Sequence, residues 1–225
     1  TFNRYVEEGR LYIPKDGQGM PRIKIYLSEL PGMIPNTWLD NIASNDDASR
    51  MIESLFGTNA FFNYSKPIEL ISYLLKLGSD KNSIIFDFFS GSSSTAHAVM
   101  QLNAEDGGNR KFIMVQLPEL TDEKSEAYKA GYKNICEIGK ERIRRAGAKI
   151  KAENPLTTQH LDTGFRVLKL DSSNMKDVFY SPKETEQQDL FALVDNVKPD
   201  RTSGDLLFQV MLELGATLDS KIEES

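Results

Sequence analysis

The chain has few residues of the types that form disulfides or metal sites. Its 225 residues include one cysteine, Cys136, and two histidines, His97 and His160. A single cysteine excludes an intramolecular disulfide and fits a reducing cytoplasm. No cysteine or carboxylate stands at metal-ligand spacing from either histidine, so we predict no metal site. We expect His97 to lie on a helix, with its ring satisfied by the neighbouring sheet.

Long apolar runs and an excess of positive charge are also missing. No run approaches the roughly 18–20 residues of a membrane span, and no signal peptide is present. The net charge of −6 argues against a chain coated in basic residues, although a local basic face is compatible with it. The hydrophobic content of 40% is ordinary for a soluble globular protein. We therefore predict a cytoplasmic protein without a membrane partner.

Two familiar nucleotide-binding motifs do not occur in the sequence. It contains neither the G-x-G-x-x-G of dinucleotide sites nor the G-K-[ST] of a P-loop. Their absence argues against a nicotinamide dehydrogenase. The chain starts at Thr1, in the middle of a pattern, so we expect a fragment of a longer protein.

The chain is organised around residues 83–95, which read S-I-I-F-D-F-F-S-G-S-S-S-T. A short apolar run ends at Asp87, a Gly/Ser turn follows, and helical spacing resumes at Thr95. Strand, tight turn and helix form the ligand site of many nucleotide-binding α/β domains. Free N–H groups at the start of the helix favour anionic or polar ligand groups. Taken alone, the turn fits a plain strand-to-helix connection equally well.

Three segments are predicted along the chain. Residues 1–40 are a β-rich segment, the end of an upstream lobe, with paired strands at 10–13 and 22–27. Residues 41–171 form an α/β domain. It is predicted to begin with a helix at 46–57, capped by Asp46 or Asp47, and a second helix from Pro67 to Gly78 with a broad buried face. A βαβ unit follows at 84–117. The last predicted elements are a long helix at 122–151, broken near Gly131 and Gly147, and a third strand at 164–170. Residues 172–225 are a C-terminal extension with a polar excursion and a helix at 205–214, capped by Ser203 and buried in the domain or against a partner.

Two groups of side chains have alternative interpretations. The later part of the long helix carries basic residues that form either a solvated face or an approach to DNA phosphates; they are Lys140, Arg142, Arg144, Arg145 and Lys149. Phe61 and Phe62 either pack in the core or stack on the adenine of a ligand.

Several motifs resemble one family of enzymes. Residues 87–95 resemble the S-adenosylmethionine motif of amino-methylating DNA methyltransferases, whose usual string is D-x-F-x-G-S-G-T-T. Residues 61–67, F-F-N-Y-S-K-P, resemble the Ser/Thr-Lys-Pro motif that completes the cofactor pocket in that family. Residues 106–119 and 165–174 together resemble the modification subunit of type III restriction-modification systems. The resemblance extends from about residue 33 to residue 220, with the motifs in the expected order.

The sequence departs from the family pattern at three places. Ser93 stands where the family has a second glycine, and it either tightens the φ/ψ demands of the turn or only adds a hydroxyl. Gln116 stands where related methyltransferases carry a ribose-binding acid, and Glu119 is the alternative. The catalytic D/N-P-P-Y/F/W motif is absent, and the chain contains no Pro-Pro. The resemblance therefore implies the C-terminal part of such a protein.

The resemblance implies a partial Rossmann-like, S-adenosylmethionine-dependent methyltransferase fold of the α/β class. It implies methyl transfer from S-adenosyl-L-methionine to N6 of an adenine extruded from double-stranded DNA. Partners implied are a restriction subunit and a second modification subunit in a homodimer. The implied cofactor-binding residues fall into four groups. Asp87 orients the turn or the amino group, and the methionine moiety is contacted by Phe89, Ser90, Gly91 and Ser92. Ser65, Lys66 and Pro67 flank the cofactor from the other side, and the ribose is bound by Gln116 or Glu119. No catalytic residue is implied in this chain, and the alternative is a degenerate methyltransferase-like module kept for subunit assembly.

Overall fold

A computed structural model describes residues 2–15, 18–29, 35, 37–39, 41–176 and 196–223. The chain divides into two compact units, residues 1–163 and 164–225. The predicted segment boundaries at residues 40 and 171 stay a prediction. The elements are α1 Phe2–Glu7, β1 Leu11–Tyr12, β2 Arg22–Ile23, a 3-10 helix Leu27–Glu29, α2 Asn45–Phe56, α3 Ile68–Gly78, β3 Ile84–Asp87, α4 Ser94–Asp106, β4 Lys111–Met114, α5 Glu126–Lys129, α6 Ile135–Glu153 and α7 Ser203–Glu213.

The first segment contains the predicted hairpin in a shorter form. β1 and β2 pair antiparallel, with Leu11 opposite Ile23, but each strand has only two residues. The helix α1 and the 3-10 helix were not predicted. Arg10 connects these pieces, because its guanidinium donates to the Glu29 carboxylate at 3.0 Å and lies 5.0 Å from the centre of the Tyr26 ring.

Helix α2 begins with a capping box. The Ser44 hydroxyl accepts a hydrogen bond from the Asp47 amide at 3.3 Å, and the Asp47 carboxylate accepts one from the Ser44 amide at 2.7 Å. The prediction of Asp46 or Asp47 as the N-cap was therefore wrong, because the serine hydroxyl satisfies the free amide. The backbone hydrogen bond from Ser44 helps to lower the pKa of Asp47 to about 2. Gly57 ends the helix at φ +78°, as predicted.

The predicted βαβ unit is confirmed. β3 and β4 pair in parallel, with Ile84 opposite Lys111 and Asp87 opposite Met114, and α4 connects them. Helix α4 packs against both α3 and α6. Its small residues Ala96 and Ala98 are completely buried, which allows the neighbouring helices to approach closely. The core of the first unit is therefore built around α4, directly behind the Gly/Ser turn. The Rossmann-like form of the whole domain stays a prediction.

One face of the β3–β4 pair is apolar and open. Side chains alternate between the two faces of a strand, and the outward set on this pair is Lys111 with three apolar residues that are each more than half exposed, Ile84, Phe86 and Ile113. Helix α3 is also less buried than predicted, because Leu74 and Leu77 are each 51% exposed. Only one side of α3 packs against α4, so part of its apolar surface remains open within the described chain.

The long helix predicted at 122–151 is two helices, α5 and α6. The chain turns between them at Gly131, where φ is +96°, as predicted. Gly147 does not break the helix, contrary to the prediction. A Cβ at Gly147 would lie 2.8 Å from the Cβ of Thr163, so the glycine permits close packing against residue 163.

The second unit differs from the prediction in three respects. Residues 164–170 form no strand. Alternation of apolar and polar residues is not sufficient, because a strand also needs a neighbouring strand for its backbone hydrogen bonds, and no described strand pairs with these residues. Helix α7 is capped by Thr202 rather than Ser203, because the Thr202 hydroxyl accepts from the Asp205 amide at 3.2 Å. Half of its apolar side chains are exposed and Met211 is its buried residue, so the helix is not buried in the domain all round, and burial against a partner stays a prediction. Residues 177–195, which include most of the predicted excursion, lie outside the described residues. No helix in the described ranges is long and apolar enough to cross a membrane.

Candidate functional site

The Gly/Ser turn, residues 90–93, lies at the carboxyl end of β3 and leads into α4. The Ser93 amide donates to the Ser90 carbonyl at 2.7 Å, which closes the turn. Gly91 has a φ of +52° and Ser93 one of +60°. Ser93 is the one non-glycine residue in the described ranges with a positive φ. Its hydroxyl also bonds the Ser90 hydroxyl at 3.0 Å, so Ser93 both carries backbone strain and adds a hydroxyl.

Asp87, the last residue of β3, holds the turn by two hydrogen bonds. One carboxylate oxygen accepts from the Phe89 amide at 3.1 Å, and the other accepts from the Thr95 hydroxyl at 2.6 Å. These two bonds bridge the turn from its first residues to the first turn of α4. Asp87 therefore orients the turn, and its contact with a ligand amino group stays a prediction.

Gln116, just beyond β4, holds the turn from the neighbouring strand. Its side-chain oxygen accepts a hydrogen bond from the Gly91 amide at 2.6 Å. The carboxylate of Glu119 is exposed. Because the Gln116 oxygen already binds the turn, its use as a ribose acceptor stays a prediction, as does that of Glu119.

The Ser65-Lys66-Pro67 segment meets the turn through a buried serine. The Ser65 hydroxyl lies 3.2 Å from the hydroxyls of both Ser92 and Ser94. These contacts join residues 27 and 29 positions apart in the sequence. Lys66 is exposed, while Pro67 is buried as the N-cap of α3. The structure thus brings together two motifs that the sequence places in separate segments.

The aromatic residues near the turn have different surroundings. Phe61 packs edge-on against Phe56 and Tyr132, with ring centres 5.4 and 5.3 Å away, so it belongs to a core cluster. Phe62 lies beside the turn, since a Cβ on Gly91 would be 3.5 Å from its ring. Phe89 is 82% exposed. Phe62 thus lies next to the turn and Phe89 exposes its ring to solvent, and the stacking of Phe62 on a ligand stays a prediction.

Helix α6 contacts the turn through Arg142, and the sequence did not predict this contact. Arg142 was predicted on a basic helix face, but its side chain is completely buried. One of its nitrogens, Nη1, lies within hydrogen-bond distance of the hydroxyls of Ser65, Ser92 and Ser94, at 2.7, 2.7 and 2.8 Å, and shares its two hydrogens among them. The helical spacing 138, 142, 146 places Arg142 on the same stripe as the buried Ile138 and Ala146. That periodicity is the signal that would have identified it.

The remaining basic residues of α6 are largely paired within the helix. Lys140 bonds Glu137 at 2.7 Å, and Arg145 bonds Glu141 at 2.7 Å. Such pairs at i, i+3 and i, i+4 are ordinary features of a solvated helix face. The geometry favours that interpretation over a DNA-binding face.

His97 lies on α4 and is buried, with 2% of its surface exposed. Burial lowers its pKa to about 3, so the ring is neutral at physiological pH. Its Nδ1 has no hydrogen-bond partner in the described residues, so the expectation that the sheet satisfies the ring was wrong for this atom. The described part of the chain also holds no cluster of His, Cys, Asp or Glu that could bind a metal.

The geometry indicates a class of protein before any comparison. A polar turn at the carboxyl end of a parallel strand, opening into a helix N-terminus, is the position of the ligand site in many nucleotide-binding α/β domains. Comparison with protein families is more specific. The N6_N4_Mtase family model, described as DNA methylase, matches residues 13–147. The chain therefore belongs to this family of DNA methylases.

Three curated relatives are modification subunits of type III restriction-modification enzymes. The StyLTI Mod subunit of Salmonella typhimurium is 41% identical over 166 residues, which are 74% of this chain and 25% of that protein. The EcoPI Mod subunit of Escherichia phage P1 is 35% identical over 68% of this chain and 24% of its own length. The EcoP15I Mod subunit of Escherichia coli is 31% identical over 76% of this chain and 24% of its own length. The chain thus spans about a quarter of these relatives, and the predicted resemblance to type III modification subunits is confirmed.

Proposed function

We propose that this chain is the cofactor-binding part of a DNA methyltransferase that transfers a methyl group from S-adenosylmethionine to adenine N6. The observation that carries the proposal is the contact of Ser65 with Ser92 and Ser94. It joins the two segments that resemble the cofactor motifs of amino-methylating DNA methyltransferases. The names of the relatives, which are Mod subunits of type III enzymes, support the same assignment.

The residues present fit the proposed cofactor. Gly91 leaves open the space beside Phe62, where a Cβ would come within 3.5 Å of the ring. The N-terminus of α4 carries a partial positive charge, which favours a carboxylate group there. Phe89 offers an exposed ring next to the turn. When bound, S-adenosylmethionine supplies the methyl group.

The chain's own residues act by holding the pocket in shape. Asp87 and Gln116 fix the turn from the two strands, so the backbone of Gly91 is placed before any ligand arrives. Such preorganisation accelerates a group transfer because positions and charges need no rearrangement during the reaction. We place the D/N-P-P-Y/F/W residues that hold the adenine outside these 225 residues.

The proposal extends to the partners. We propose double-stranded DNA as the substrate, a restriction subunit as the partner, a homodimer of modification subunits and a cytoplasmic location. The match to a family of DNA methylases supports DNA as the substrate, and the relatives, each the Mod subunit of a restriction-modification enzyme, support the restriction subunit as the partner. The homodimer and the cytoplasmic location are proposed from the resemblance alone.

Calorimetric titration with S-adenosylmethionine tests the pocket. Gly91→Ala places a Cβ at φ +52° beside Phe62, and we expect it to weaken cofactor binding at least tenfold. Gly107→Ala is the matched control, because it carries similar backbone strain at φ +66° but its Cβ would meet nothing within 4 Å. Equal weakening by both variants would count against the pocket. No binding by the wild-type protein at millimolar cofactor would remove the proposal and leave the assembly module as the explanation.

The methylated product tests the choice of base. Duplex DNA is incubated with the full-length protein and the cofactor, digested to nucleosides and analysed by mass spectrometry. We expect N6-methyladenine. A product containing only N4-methylcytosine would retain the cofactor site and overturn the assignment to adenine.

A further inference from the structure

Arg142 is a buried cation without an acidic partner. Its side chain is completely buried, and the ion pairs of the described residues do not include it. Burial lowers its pKa to about 10, so the guanidinium remains charged at neutral pH. Buried arginines usually face a carboxylate, as Arg110 does here with Asp106 at 3.0 Å.

The partners of Arg142 are three serine hydroxyls that already contact one another. Nη1 reaches Ser65, Ser92 and Ser94 within 2.8 Å, and the hydroxyls lie 3.2–3.3 Å apart. Nε and Nη2 have no partner in the described chain. A single nitrogen therefore connects the Ser-Lys-Pro segment, the Gly/Ser turn and the start of α4.

Stability alone does not account for an arginine at this position. Burying an unpaired charge is costly, and an apolar side chain of similar length would fill the space without that cost. The three serines would retain their mutual hydrogen bonds. The distinctive effect of Arg142 is to fix the spacing between the two segments proposed to line the cofactor pocket.

We propose that Arg142 is a positioning residue for the cofactor, holding Ser65 against Ser92 and Ser94 so that the pocket keeps its width. The proposal rests on the proposed function. Because Arg142 is completely buried beneath the turn, it acts through the serines and not by contact with the ligand. Its removal should therefore affect cofactor affinity more than the turnover rate of the saturated enzyme.

The test compares three variants of the full-length protein with the wild type. Arg142→Met removes the charge and the donors, and we expect a tenfold or greater rise in both Kd and KM for S-adenosylmethionine, with kcat changed less than threefold. Arg142→Lys retains a charge with three donors and should restore Kd to within threefold of wild type. Arg110→Met removes another buried guanidinium, at the opposite end of β4, and should leave Kd within twofold.

The outcomes separate this inference from the function on which it rests. A wild-type protein that binds no cofactor removes the proposed function. Wild-type binding with unchanged affinity in Arg142→Met overturns the positioning role alone, as does equal weakening by Arg110→Met. If Arg142→Met does not fold, Ser94→Ala removes one of the three acceptors. We then expect a threefold or greater rise in Kd, and an unchanged Kd would overturn the role.

Discussion

Replacing Gly139 by alanine probes how closely α6 packs against the Gly/Ser turn. A Cβ at position 139 would lie 2.6 Å from the hydroxyl oxygen of Ser93, closer than real Cβ contacts. The next neighbour, the Gly91 carbonyl oxygen, would be 3.4 Å away. The new methyl group therefore conflicts with one atom, and that atom is held by a 3.0 Å hydrogen bond to the Ser90 hydroxyl.

The expected free energies follow from this geometry. Overpacking costs about 1–3 kcal/mol, and breaking the Ser90–Ser93 hydrogen bond adds about 0.5–1.5 kcal/mol. Replacing a glycine in a helix interior by alanine stabilises the helix by about 1 kcal/mol. Gly139→Ala should thus destabilise the wild-type protein by about 0.5–3.5 kcal/mol. With Ser93→Gly the obstructing atom is gone, and the same change should be neutral or stabilise by about 1 kcal/mol.

Urea unfolding of the two single variants, the double variant and the wild type measures this coupling. We expect a coupling energy of about 1.5–4.5 kcal/mol, the overpacking and hydrogen-bond costs together, because the gain in helix propensity is the same in both backgrounds. Gly147→Ala is the matched control, because its Cβ would clash with Thr163 instead, and it should cost the same in the wild type and in the Ser93→Gly background. If Gly139→Ala has equal effects in both backgrounds, α6 does not pack against Ser93 as described.

Three other changes have definite expected outcomes. Burial lowers the pKa of His97 to about 3, so the contribution of this residue to stability is complete above about pH 6.5 and is lost as the pH falls towards 3, at about 1.4 kcal/mol per pH unit. His97→Gln should remove this pH dependence from the free energy of urea unfolding measured between pH 7 and pH 4. An unchanged pH dependence would refute the assignment. Gln116→Ala leaves the Gly91 amide without its acceptor and should raise the Kd for S-adenosylmethionine about tenfold, equivalent to about 1.4 kcal/mol. Gln116→Glu keeps an acceptor oxygen and should retain the wild-type Kd. An equal loss of affinity in both variants would contradict the role of the acceptor. Asn103→Ala removes both side-chain bonds to the Arg110 backbone, at 2.9 and 3.1 Å, and should destabilise by about 2–3 kcal/mol in urea without changing cofactor affinity.

The parts of the fold that the sequence predicted are those determined by local signals. The βαβ unit follows from two apolar runs and a helix within about 35 residues, with turn residues at each junction. Gly57 and Gly131 end or separate helices by adopting a positive φ, which glycine does without steric cost. The capping residues Ser44 and Thr202 were missed because each stands beside other residues able to cap, and only the hydrogen bonds distinguish them.

The parts that were missed depend on contacts between distant segments. Residues 164–170 alternate as a strand does, but a strand also needs a neighbour along its edge, and periodicity cannot supply one. In the site, the resemblance identified the turn and the Ser-Lys-Pro segment by their order along the chain. It did not identify Arg142, because a charged residue was assigned to the solvent side of α6 against the helical period.

The hydrogen bonds of Arg142 also bear on how the first unit folds. They join it to Ser65 across 77 residues and to Ser92 across 50 residues. Such distant contacts form late, because the loop-closure entropy must be overcome before they stabilise anything. At about 5–20 residues per second, synthesis reaches Arg142 roughly 3–10 seconds after the turn. The βαβ unit therefore has time to form on the ribosome before α6 docks against the turn, and we expect the proposed cofactor site to gain its affinity only after that docking.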